Sequence, residues 1–132
     1  KGLDAVVRNQ VYDTFCMVRD QYRVGFIVIT HDLLLARKFC ERIVVMYCGR
    51  VLETNAAREL FEHPRHPYTQ GLIASLPHLG MKPMAGFSPA FTDQPSGCVF
   101  HPRCPYAEAR CRHTEPKSIP CGEGSVCCHR YA

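Results

Sequence analysis

The sequence predicts an α/β fold that gives way to a small, irregular, cysteine-rich extension. Three observations carry that expectation. Helical and strand patterns alternate up to about residue 76, a Pro- and Gly-rich stretch follows, and six of the nine cysteines fall after residue 97. At 132 residues the chain has about the size of one ordinary domain, or of a fragment plus an appendage. Its 46% hydrophobic and 21% charged residues are those of a globular protein. No run reaches the roughly 18 apolar residues that suggest a membrane-spanning helix. The net charge is a mild +4, with Lys and Arg dispersed among Asp and Glu, so composition gives little support to nucleic-acid binding. Lys1 opens the chain without the basic and apolar regions of a signal peptide, which suggests a piece of something longer.

Taken in order, Val7, Val11, Phe15 and Val18 recur at helical intervals and predict an amphipathic helix from Asp4 to about Gln21. Val24 to Ile29, VGFIVI, is a nearly continuous β-branched run, as expected for a strand covered on both faces. Asp32 is placed to cap a helix from Leu33 to Cys40. Arg42 to Tyr47 reads as a second strand, Cys48-Gly49 as a turn, and Arg50 to Glu53 as a short return strand. Asn55 could cap a helix from Ala56 to Phe61, and HPRHPY then interrupts before a last helix from Tyr68 to Ser75. So few strands would leave a raw edge and little core, so the order αβαββα suggests the trailing part of a larger sheet. Pro77, Pro83, Pro89 and Pro95 then mark an irregular linker to Gly97. The tail from Cys98 has few aliphatic residues, and a unit below about 40 residues generally needs a metal, disulfides or docking to fold.

Of the residues that carry chemistry, VITHD comes first. A His just past the C-terminal end of a buried parallel strand lies on the edge where α/β sheets bind ligands, although a surface His beside a cap would look the same. Around it, GLDAVVRNQV, VGFIVITHDL and CERIVVMYCGRVLE stand in the order and spacing of the end of a nucleotide-binding domain, and they resemble ABC transporter ATPases. The resemblance implies that Asp4 takes the D-loop aspartate position and that His31 is the switch histidine, which contacts the γ-phosphate and helps order the attacking water. Lys1 and Gly2 stand where that family has Ser and Ala. No Gly is followed by Lys and no two Gly are adjacent, so the chain holds neither a G-x-x-x-x-G-K-S/T phosphate loop nor the signature motif. The Walker B strand and its Glu would lie upstream. Phosphoryl transfer needs loop, Mg²⁺ and base together, so the chain alone is expected to be inert, with ATP and Mg²⁺ bound only by the full-length parent.

ELFEHPRHPYTQGLIASLP, Glu59 to Pro77, is similar to a segment of one branch of that family, the oligopeptide and dipeptide (and related nickel) importers. Read from the residues, His66, Pro67, Tyr68 and Thr69 cap and orient a helix and have no catalytic task.

The cysteines of the tail stand as Cys98-x5-Cys104-x6-Cys111-x16-Cys128, unlike the paired C-x2-C of zinc modules, so zinc is possible without being signalled. The same importer branch ends in G-C-x-F-x-x-R-C-x-x-A-x-x-x-C followed by V-x-C. Gly97, Cys98, Phe100, Arg103, Cys104, Ala107 and Cys111 match the first part, and Val126 with Cys128 the second. The resemblance implies a 4Fe–4S cluster held by Cys98, Cys104, Cys111 and Cys128, and four thiolates are the usual ligand set for one. Cys127 competes with Cys128, Cys121 less so, and His101, His113 or His129 could complete a zinc site instead. Disulfides come last, since such an ATPase works in a reducing compartment. A cluster here would be structural, substituting for a missing core, or redox-sensing.

Together these expectations describe the C-terminal part of the ATP-binding subunit of a peptide-type ABC importer. Residues 1–76 would complete the ATPase domain and 77–132 form the extension. The resemblance implies a peripheral location on the cytoplasmic face of the cell membrane, a second ATPase subunit, membrane permeases, and a substrate-binding protein acting indirectly. The contrasting expectation is a free-standing metal-binding module that regulates a partner.

Overall fold

The computed structural model describes residues 5–90 and 92–132. They fall into two compact units, Lys1–Cys40 and Glu41–Ala132.

In the first unit, the helical stripe becomes α1, Ala5–Tyr22. Tyr12 of α1 stacks at 4.8 Å on Phe39, and Phe15 lies 5.8 Å from Phe26. VGFIVI does not become a strand. Among the described residues it has no ladder partner, and Ile27 and Ile29 are 96% and 98% exposed. Apolar side chains raise strand propensity, but a strand exists only where a neighbour supplies donors and acceptors, and this run finds none. The capped helix is as expected: α2 spans Leu33–Phe39, and the Asp32 carboxylate accepts from the Leu35 N–H at 3.1 Å.

The second unit is built on a four-stranded antiparallel sheet. Its first hairpin joins β1, Arg42–Tyr47, to β2, Arg50–Ala56. Alternate residues Ile43, Val45 and Tyr47 turn inward. Cys48 and Gly49 both have positive φ, 46° and 77°, which gives the hairpin the primed turn that matches strand twist. β2 runs past Glu53 to Ala56, so Asn55 is held by the ladder opposite Ile43 and does not cap the next helix. Its Oδ1 accepts from the adjacent Ala56 N–H, and α3, Ala57–Glu62, starts without a side-chain cap. The capping expected of His66 does hold: its Nδ1 accepts from the Tyr68 N–H at 3.0 Å at the start of α4, Pro67–Ala74.

The tail is more regular than its composition suggests. β3, Ser118–Cys121, and β4, Gly124–Cys127, form a hairpin, and β4 pairs with β2 in the order β1-β2-β4-β3. Residues on either side of position 77 therefore share one sheet. Gly124 makes this joint possible, because a Cβ there would overlap the Thr54 carbonyl and crowd Asn55. The core beneath the sheet gathers Tyr47, Leu52, Val99 and Phe100, with Tyr68 and Met84 packed against it. No helix of the described residues is long and apolar enough to cross a membrane.

Candidate metal centre

Cys98, Cys104, Cys111 and Cys128 come from separate turns of the tail and line one pocket, together with His66 and Phe100. Local geometry explains how distant residues meet. Gly97 adopts φ +69°, and a Cβ on it would lie 2.5 Å from the Cys111 carbonyl. Its bare backbone lets the Cys98 N–H donate to that carbonyl at 2.9 Å, which ties the first ligand position to the third. Short 3₁₀ turns at His101–Arg103 and Ala109–Arg112 set the directions of Cys104 and Cys111. Cys128 follows the last residue of β4. Because side chains alternate along a strand, Cys127 lines a different pocket beside Gly49 and Leu52.

The electrostatics reflect this crowding. Burial pushes the Cys98 thiol up, the Phe100 backbone N–H opposes that by bonding to its sulfur, and Cys111, Cys104 and Cys128 push it up again. Burial likewise raises Cys104, against a bond from the Tyr106 N–H, with Cys128 and Cys111 raising it further and Arg130 lowering it. Cys128 is raised by burial and held back by the Arg130 N–H and guanidinium, while Cys111 raises it and Arg110 lowers it. Three of the four sulfurs thus accept a backbone N–H from two residues on, a bond that favours thiolate over thiol. The pocket gathers four soft sulfur donors, a backbone N–H at three of them, and cationic Arg110 and Arg130 alongside. The thiols share the pocket without closing on one point, since among the described residues no three His, Cys, Asp or Glu side chains could hold a single ion.

The histidines of the tail are occupied differently. His101 Nδ1 lies 3.0 Å from the Cys98 carbonyl and His129 Nε2 lies 2.9 Å from the Thr114 carbonyl, while His113 is exposed. None of the nine cysteines is in a disulfide. Cys121 sits at the end of β3, opposite Gly124. In the first unit, His31 is exposed just before the Asp32 cap. Asp4 lies outside the described residues.

Residues 52–111 match a family model described as the oligopeptide/dipeptide transporter, C-terminal region. The matched stretch runs from β2 to the third cysteine of the pocket. It contains Cys98, Cys104 and Cys111 of the pocket, and the His-Pro-Tyr segment as well. Across nearly its whole length the chain is also related to ATP-binding proteins of peptide import. It is 38% identical over 133 residues to the dipeptide transport ATP-binding protein DppD of Haemophilus influenzae, covering 97% of this chain and 40% of that protein. Against DppD of Escherichia coli strain K12 the identity is 39% over 120 residues, 87% of this chain and 37% of that one. Against DppD of Caldanaerobacter subterraneus it is 35% over 136 residues, 98% and 42%. The chain spans about 40% of the length of these curated relatives.

Sequence reasoning treated His66 only as a cap. The structure also puts it in the wall of the cysteine pocket, 1% exposed, its ring 5.6 Å from that of Phe100. Burial lowers its pKa to about 4, so the imidazole is neutral at neutral pH. Its place beside two prolines in HPRHPY held no signal for that second role, because the pocket forms only when the tail folds back onto the connector.

Proposed function

We propose that this chain is the C-terminal part of an ATP-binding subunit that powers peptide-type import. The observation that carries the reading is the match of residues 52–111 to the transporter C-terminal region, continuous with relatives that are dipeptide transport ATP-binding proteins. In the intact subunit, ATP and Mg²⁺ would be bound by the phosphate loop upstream. Asp4 would serve as the D-loop aspartate, and His31 would donate to the γ-phosphate and help order the attacking water. Two such subunits would sit peripherally on the cytoplasmic face of the membrane against the permeases, which receive substrate from a binding protein. Replacing His31 with Ala in the full-length subunit should lower ATP-driven uptake by about a hundredfold. Uptake and ATP hydrolysis at the unsubstituted rate in that variant would remove His31 from the mechanism.

The extension would add a metal centre. Cys98, Cys104, Cys111 and Cys128 would hold a 4Fe–4S cluster, one thiolate to each iron. Such a cluster supplies four iron–thiolate bonds that join separate turns of the chain, and a one-electron couple. Support for it over zinc comes from the four cysteines themselves, whose spacing lacks the paired C-x2-C of zinc modules. The Phe100, Tyr106 and Arg130 N–H groups would donate to the cluster's thiolates, against the burial that raises these thiols, and Arg110 and Arg130 would offset the charge. Anaerobic purification of the full-length subunit should give a brown protein with about four irons per chain. Stoichiometric zinc, or iron-free protein after anaerobic handling, would sink this part of the reading.

A further inference from the structure

His66 joins the sheet to the cysteine pocket through three separate groups. Its backbone N–H donates to the Glu53 carboxylate on β2 at 2.9 Å. Its Nδ1 accepts from the Tyr68 N–H at the start of α4. An imidazole nitrogen that accepts carries no proton, so the ring's hydrogen is on Nε2, on the far side of the ring. Among the described residues Nε2 meets no hydrogen-bond acceptor, although the side chain is 1% exposed and lines the pocket of the four cysteines. Nε2 is not one of the fully buried unpartnered atoms of the described residues, Arg65 Nε and Thr69 Oγ1, so it keeps enough exposure to meet an acceptor seated in the pocket.

We propose that His66 is a positioning residue of the cysteine centre, its Nε2–H donating to a sulfur of the cluster held by Cys98, Cys104, Cys111 and Cys128. The proposal rests on the cluster reading above. It assigns the His-Pro-Tyr connector a task beyond capping α4: the bond couples the charge on the cluster to the backbone that Glu53 anchors to the sheet. Hydrogen bonds to cluster sulfurs stabilise the more negative, reduced state and so raise its reduction potential.

The test uses the full-length subunit, purified anaerobically, and two variants, His66→Asn and His66→Ala. Asn is a good N-cap whose side-chain oxygen can take over the Tyr68 N–H, while its amide is too short to replace Nε2. Potentiometric titration with dithionite, followed by electron paramagnetic resonance, should show the ratio of reduced to oxidised cluster falling about tenfold at the unsubstituted midpoint. For a one-electron couple that is a shift of about 59 mV downward. Variants that keep their iron and titrate at the unsubstituted potential overturn the role of His66 and leave the cluster standing. Iron-free unsubstituted protein removes the cluster and the proposal with it. Should both variants fail to load iron, pulsed resonance on the unsubstituted protein labelled with ¹⁵N-histidine decides: a histidine nitrogen coupled to the reduced cluster is expected, and none overturns the proposal.

Discussion

Replacing Phe100 with Ala should destabilise the full chain by about 3–5 kcal/mol, the largest effect expected of any single core substitution here. Phe100 is 0% exposed and is the hub of an aromatic cluster. Tyr47 meets it edge-on at 5.4 Å, Tyr68 at 5.3 Å and His66 at 5.6 Å. Those three rings come from β1 and the His-Pro-Tyr connector, while Phe100 sits two residues after Cys98. Truncation therefore loses the buried ring, leaves a cavity that three rigid neighbours cannot close, and frees the segment whose N–H supports the Cys98 sulfur. Thermal unfolding should begin more than about 10 °C lower. Phe100→Leu keeps most of the volume and should cost about 1.5 kcal/mol or less. Equal stability of the Ala and Leu variants in urea titrations would show that the ring does not hold the tail to the sheet.

Glu53→Ala should cost about 2–5 kcal/mol, by a different route. The carboxylate is 1% exposed and accepts the Arg65 N–H at 2.8 Å and the His66 N–H at 2.9 Å. Residues 63–66 lie in neither helix nor strand, so a side chain of β2 satisfies these donors. Removing it strands one buried and one part-buried N–H at about 1–3 kcal/mol each, the part-buried one at the lower end. Glu53→Gln keeps one acceptor oxygen and should fall between the two. Urea unfolding that ranks Gln with Ala, both within about 0.5 kcal/mol of the unsubstituted chain, would mean that water serves these donors instead.

How much of this was legible beforehand differs by residue. Helices α1, α2 and α4 were readable because each carries its own evidence: a stripe of apolar residues, a carboxylate at Asp32, a proline at the first turn. The β1–β2 hairpin was readable for the same reason, its turn being specified by Cys48-Gly49. VGFIVI was misread as a strand because pairing is not a property of the run that pairs. Asn55 was misread as a cap because the ladder continued through it.

The grouping of Cys98, Cys104, Cys111 and Cys128 in one pocket, and the match of residues 52–111 to the transporter C-terminal region, were expected from resemblance to the linear pattern of one importer branch. Spacing, glycines and flanking residues are local facts that a linear pattern preserves. The hairpin β3–β4, its seat against β2 at Gly124, and the position of His66 in the pocket wall were decided only in three dimensions. Each depends on contacts between residues far apart in the chain. Such contacts form only when the apolar surface around Phe100 is buried, and no short stretch of sequence contains both sides of that surface.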